Sequence, residues 1–144
     1  MVLDVEQLLK MHQSQLDNLF RNSPAGNIPA GEGNGMVLLG EGTELSELAA
    51  ELYHLFVWKG KIFYPEKGEL YNRLSPLGIE ASLAKVYMGE SIVDGKECII
   101  VDYSQTDPIT PWGRDEIRQI APKLYLGIAY ANDTRLFDFS LTFP

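Results

Sequence analysis

Apolar residues recur near the start of the chain at three- and four-residue spacings. Leu3, Leu8, Leu9, Leu16, Leu19 and Phe20 form the stripe, with polar residues between them. This periodicity predicts one helix over residues 3–21, with Asp4 as its N-cap and acids near its start to suit the dipole. "NSPAGNIPAGEGNG" then ends it and reads as a Gly/Pro-rich linker over residues 23–35. A short apolar run, Met36–Gly40, predicts the first strand. "GTELSELAAELYHLFVW" predicts a second helix, with Thr43 as N-cap, Glu47 supporting the first turn, and Leu45, Leu48, Ala49, Leu52 and Phe56 as its buried stripe.

From Gly60 onward the period shortens to two. "KIFYP", "ELYNRL", "SLAKVYMGESI", "CIIVDY", "GRDEIRQIAP", "KLYLGIAYA" and "RLFDFSLTF" read as strands separated by turns. Asp94-Gly95 predicts a tight hairpin between two of them. No helical crossover separates these strands, so a parallel sheet is excluded and an antiparallel meander is the economical solution. With about eight strands, closure into an up-and-down barrel removes the exposed edges. The predicted fold is therefore mainly β: a single domain over 1–144, with a helix over 1–22, a linker over 23–35 and a barrel over 36–144 that carries a helix between its first two strands.

Alternation assigns faces. Phe137, Phe139, Leu141 and Phe143 share one side of the last strand, which must be buried. Leu124, Leu126, Ile128 and Tyr130 oppose Lys123, Tyr125, Gly127 and Ala129. Ile99, Val101 and Tyr103 oppose Cys98, Ile100 and Asp102, with apolar residues on both faces, as expected where one face fills a barrel and helices cover part of the other.

This order of elements, "GMVLLG", then the helix "ELSELAAELYHLF", then antiparallel strands, resembles the calycin group of lipocalin-like and fatty-acid-binding-protein-like β-barrels over roughly residues 34–144. The Gly-x-Trp of lipocalins is absent from "GNGMVLL", and no family residue is carried over. The resemblance implies a barrel with a small, largely apolar ligand cavity.

Composition narrows the partners. The net charge is -8, which disfavours nucleic acid and anionic membranes, because both need a basic face. No apolar run approaches the length of a membrane span. The start "MVLDVEQLLK" lacks the basic and apolar regions of a secretory leader, so a cytoplasmic location is expected. One cysteine, Cys98, excludes an intrachain disulfide and reads as a buried, inert thiol. His12 and His54 lie in predicted helices without neighbouring ligands, so no metal and no cofactor is expected.

The candidate chemistry lies in "GRDEIRQIAP". As a strand it puts Arg114, Glu116, Arg118 and Ile120 on one face and Asp115, Ile117, Gln119 and Ala121 on the other. The charged face either points outward as a salt-bridge ladder or points into the barrel. In the second case Arg118 and Arg114, balanced by Glu116 or Asp102 and joined by Tyr103 or Tyr125, would anchor the head group of a carboxylate ligand, with Phe137 and Phe139 lining its apolar part. The expected function is binding of a small hydrophobic or amphipathic ligand, including a carboxylate-bearing one, by a monomer or homodimer. No catalytic residue is assigned. A cofactor-free lyase or isomerase using Tyr, Arg and Glu, and an interaction module built on the N-terminal helix, are the alternatives.

Overall fold

The computed structural model describes residues 3–39, 58–74 and 79–144. Two helices, α1 (Val5–Leu9) and α2 (Gln13–Asn22), precede eight strands: β1 (Gly31–Leu38), β2 (Trp58–Tyr64), β3 (Glu69–Leu74), β4 (Ile79–Glu90), β5 (Glu97–Asp102), β6 (Gly113–Ala121), β7 (Leu124–Ala131) and β8 (Thr134–Thr142). Each strand pairs antiparallel with the next, and β1 also pairs with β8, so the sheet is a closed up-and-down barrel. The predicted second helix, residues 42–58, lies outside the described residues apart from Trp58, which opens β2.

The predicted single N-terminal helix is two. Asp4 accepts from the Gln7 amide at 2.9 Å and caps α1 as expected. A second start follows at His12, whose amide donates to Gln15 Oε1 at 2.8 Å. The break lets both segments lie against the curved barrel wall.

The glycine-rich stretch is not a linker throughout. Gly31 to Gly35 belong to β1, paired with β2 from Gly31↔Phe63 to Asn34↔Gly60. Glycine is needed there because aromatic rings lie on the strand: a Cβ at Gly33 would meet Phe143 Cζ at 2.7 Å, and one at Gly35 would meet the Trp58 ring at 2.3 Å. Residues before it close one end of the barrel. Ala25 O accepts from the Gln119 amide at 3.2 Å, Asn27 O accepts from the Tyr125 hydroxyl at 2.7 Å, and Ile28 packs on the interior core.

Among the described residues two main apolar cores lie one on each side of the sheet, with a small third cluster of Ala131 and Leu136 packed with Trp112 and Phe137. Phe63, Leu70, Val86, Ile99, Val101, Ile117, Phe139 and Leu141 fill the barrel. Leu8, Leu16 and Phe20 of the helices cover Leu38, Leu124, Leu126, Ile128 and Tyr130 on its outside. Each such helical side chain contributes roughly 1.5–3 kcal/mol by burial. Consequently every residue of β7 is buried. The predicted faces of β5, β7 and β8 agree with these two cores.

The Asp94-Gly95 hairpin exists, but not as a two-residue turn. Ser91 to Lys96 form the connection, and among these only Gly95 has positive φ, at 72°. Asp94 keeps its side chain for another partner, Arg118. That guanidinium forks onto Asp94 at 2.8 Å twice, donates to the Phe20, Glu97 and Lys96 carbonyls, and stacks 4.5 Å from the Phe20 ring. Arg118 is only 1 % exposed, yet it lies outside the barrel, clamping the end of α2 and the β4–β5 loop to β6. The idea that it enters the cavity is corrected. The inward face of β6 is the one carrying Asp115 and Ile117.

The Arg118 hydrogen bonds, working against burial, hold the Asp94 carboxyl down at about 2 from an ordinary 3.8. A depressed carboxylate pKa gives stability that is present above the ordinary value and lost as pH falls toward the folded one. We expect Arg118→Ala to cost about 3 kcal/mol in urea unfolding at neutral pH. The deficit should shrink as pH is lowered from 3.8 toward about 2; a pH-independent deficit would show that the ion pair is not its source.

Candidate functional site

The barrel interior is apolar except near the end where the β5–β6 and β7–β8 connections lie. There four polar side chains meet, three from strands and one from a loop: Lys61 of β2, Asn72 of β3, Asp115 of β6, and Tyr103 just past β5. Lys61 and Asp115 are 3 % and 6 % exposed. Lys61 Nζ lies 2.7 Å from Asp115 Oδ2, and it donates to Asn72 Oδ1 at 2.8 Å and to the Tyr103 hydroxyl at 2.9 Å. Tyr103 in turn donates to Asp115 Oδ2 at 3.2 Å and accepts from Asn72 Nδ2 at 2.8 Å. Asn72 also accepts from the Trp58 indole N–H at 3.0 Å and donates to Ser82 O at 3.2 Å.

Rings surround the cation. The ammonium sits 5.6 Å from the Trp58 and Tyr103 ring centres and 5.4 Å from that of Phe139, within cation–π range. Trp58 and Phe139 meet edge to face at 5.4 Å. Above the cluster is a cavity of about 150 Å³. Its apolar wall includes Val37, Trp58, Ala129, Leu136, Phe137 and Phe139, and Thr110 and Trp112 reach it from the β5–β6 loop.

Burial alone would lower the Lys61 pKa, but the charge of Asp115 and the surrounding hydrogen bonds outweigh it and hold the pKa up at about 12. Burial raises the Tyr103 phenol, Asp115 adds to this, and the result is again about 12 despite the opposing pull of Lys61. At neutral pH the lysine is therefore an ammonium and the tyrosine a neutral phenol.

The residues expected from sequence divide. Tyr103, Phe137 and Phe139 line this cavity, and Arg114 borders it. The Arg114 guanidinium is committed elsewhere, to Glu116 Oε2 at 2.8 Å and Glu90 O at 3.1 Å. Glu116 is fully buried on the outer side, accepting from Ser91 Oγ at 2.6 Å and the Ile92 amide at 2.8 Å. Arg118 is on the same outer side, and Tyr125 belongs to the opposite, closed end of the barrel. Of the two directions the sequence leaves open, the Arg–Glu–Arg face takes the outward one. β6 turns it outward because Ile117, on the other parity, fills the barrel. Lys61, Asn72 and Asp115 escaped the sequence reading, although a signal existed. Lys61 stands two residues from the buried Phe63, Asn72 two from Leu70, and Asp115 two from Ile117, so each has the parity of a core position.

Among the described residues no group of three or more His, Cys, Asp or Glu is placed to hold a metal, and no helix is long and apolar enough to cross a membrane. No family model and no curated protein matches the chain. The chain is similar to a solved structure, the crystal structure of a protein from Thermomonospora curvata, at 18 % identity over 94 % of this chain and 89 % of that one, with a TM-score of 0.68. The likeness is one of fold.

Breaking the interior pair should strand a charge. Lys61→Met is expected to cost about 3–5 kcal/mol in urea unfolding, and Lys61→Met/Asp115→Leu to recover most of it. Both raised pKa values act in alkali: the stability they supply is intact below the ordinary 10.0 of tyrosine and 10.5 of lysine, and is lost as pH rises through about 12. Unfolding free energy followed by circular dichroism should fall over that window, and Tyr103→Phe should flatten the fall.

Proposed function

We propose that this barrel binds a small hydrophobic or amphipathic molecule in the cavity above Lys61 and Asp115, as a calycin-like ligand-binding protein does. One observation carries the reading. A desolvated ion pair gains little over well-packed apolar side chains of the same volume, so stability alone does not account for it. Here the pair stands at the base of an aromatic-walled cavity, where a convergent polar group fixes the orientation of a ligand.

The alternative of a cofactor-free lyase or isomerase draws on the same cluster, since Tyr103 and Asp115 face one cavity with a cation beside them. Efficient general acid–base groups titrate near the working pH. Lys61 and Tyr103 both sit at about 12, which favours binding over proton transfer. The interaction-module reading loses its motive, because Leu8, Leu16 and Phe20 are buried on the chain's own barrel.

Trp58 and Trp112 both line the cavity, so indole fluorescence reports its occupancy. Ala129→Leu places three extra carbons in that space and should weaken any one-ring hydrophobic ligand about tenfold or more. Arg118→Ala, outside the barrel, should leave the affinity of the folded protein unchanged. Equal affinity in wild type and Ala129→Leu would remove the ligand from the cavity.

A further inference from the structure

The hydrogen-bonding capacity of the polar cluster can be counted atom by atom, and the count names the ligand chemistry. Lys61 has three N–H donors, and all three are engaged, by Asp115, Asn72 and Tyr103. The Tyr103 oxygen donates once and accepts twice. Asn72 makes four bonds, two through Oδ1 to Trp58 and Lys61, and two through Nδ2 to Ser82 and Tyr103. The Trp58 N–H is spent on Asn72. Every donor in the cluster is therefore taken.

Acceptor capacity is left on one group. Asp115 uses Oδ2 for both Lys61 and Tyr103, and its Oδ1 has no hydrogen-bond partner among the described residues. The fully enclosed side-chain atom without a partner, among those residues, is Ser140 Oγ. Asp115 Oδ1 is thus unpartnered without being enclosed, and the space that Asp115 borders is the cavity.

Charge sets the second limit. Lys61 and Asp115 cancel each other at 2.7 Å, and the nearby Arg114 is neutralised by Glu116 at 2.8 Å. A charged ligand would enter without a counter-ion, at a desolvation cost that nothing in the cluster offsets. A carboxylate would in addition confront the Asp115 oxygen, with no free N–H in the cluster to receive it. Size sets the third limit: the half-open cavity offers about 150 Å³, room for a group near the size of one benzene ring.

From these three limits we infer that the cavity takes a neutral, single-ring-sized molecule carrying one hydrogen-bond donor, a phenol or comparable alcohol, whose O–H donates to Asp115 Oδ1 while its apolar body packs between Phe137, Phe139 and Trp58. This rests on the binding function proposed above and excludes the carboxylate ligand expected from sequence.

The test is calorimetric titration of the full chain at neutral pH with p-cresol, toluene, benzoate and benzylamine, repeated on Ala129→Leu and Asp115→Asn. The expected result is p-cresol binding about tenfold or more tighter than the other three. Ala129→Leu should weaken it about tenfold or more, and Asp115→Asn should bring p-cresol close to toluene. Benzoate or benzylamine binding tightest, or toluene equalling p-cresol in wild type, would overturn the donor assignment and leave the cavity function standing. No binding by any of the four, or binding that Ala129→Leu leaves intact, would overturn both. Because the wild-type comparison needs no variant, a failure of Asp115→Asn to fold does not protect the inference.

Discussion

Closure of the sheet through β1 is the constraint on which the rest depends. This strand must bond on both edges, to β2 over Gly31–Asn34 and to β8 over Asn34–Leu38. It crosses the barrel where the Phe143 and Trp58 rings need room. Glycine is a poor strand former by propensity. Its use at Gly33 and Gly35 trades that propensity for two rings laid against the backbone. Gly60 completes the fit on the β2 side, where a Cβ would meet Gly33 O at 1.9 Å and φ is 143°. Without this close approach the barrel has two free edges, and Lys61, Trp58 and Asn72 lose their alignment with Tyr103 and Asp115 across the interior.

The strands and their order were legible because strong two-residue alternation survives in β5, β7 and β8. The chain order of the meander followed from short connections with no room for crossovers. What escaped was local chemistry whose reason lies far away in sequence. "GEGNG" looks like a loop until Phe143 and Trp58 are known to lie on it. The charged run of β6 looked like a ligand site because its residues are conspicuous, whereas its neighbour Asp115 was passed over. Its parity was assigned correctly; its direction stayed open, since alternation distinguishes two faces without saying which is inside. The unassuming "KGKIF" and "LYNRL" supplied the interior polar groups. Parity with Phe63 and Leu70 was the available clue, but a single polar residue in a short strand reads as an exposed one unless all strands are placed together.

Charge is partitioned by the sheet. On the outside, Arg118, Arg114 and Arg135 each answer a nearby carboxylate and tie a separate piece of chain to the barrel: the β4–β5 loop and the end of α2, Glu116 beneath Ser91 and Ile92, and Asp17 of α2 with Asp138 of β8. These are assembly contacts, anchored in carbonyls and loop amides. On the inside there is, among the described residues, one pair, Lys61 and Asp115, surrounded by rings and bonded to Tyr103 just past β5. The same chemical elements thus serve attachment on the outer face and line the cavity on the inner one.

The complete burial of β7 carries a consequence for motion. A strand with solvent on neither face, flanked by β6 and β8 along its whole length, has no local route by which its amides reach water. Its hydrogens exchange only when helix, wall and interior open together. β7 is therefore expected to exchange slowly, and the cavity wall at Ala129 is set on this well-covered strand. A ligand bound there as proposed would meet a surface already in place, so the motion admitting it would come from other strands or from the loops at the rim.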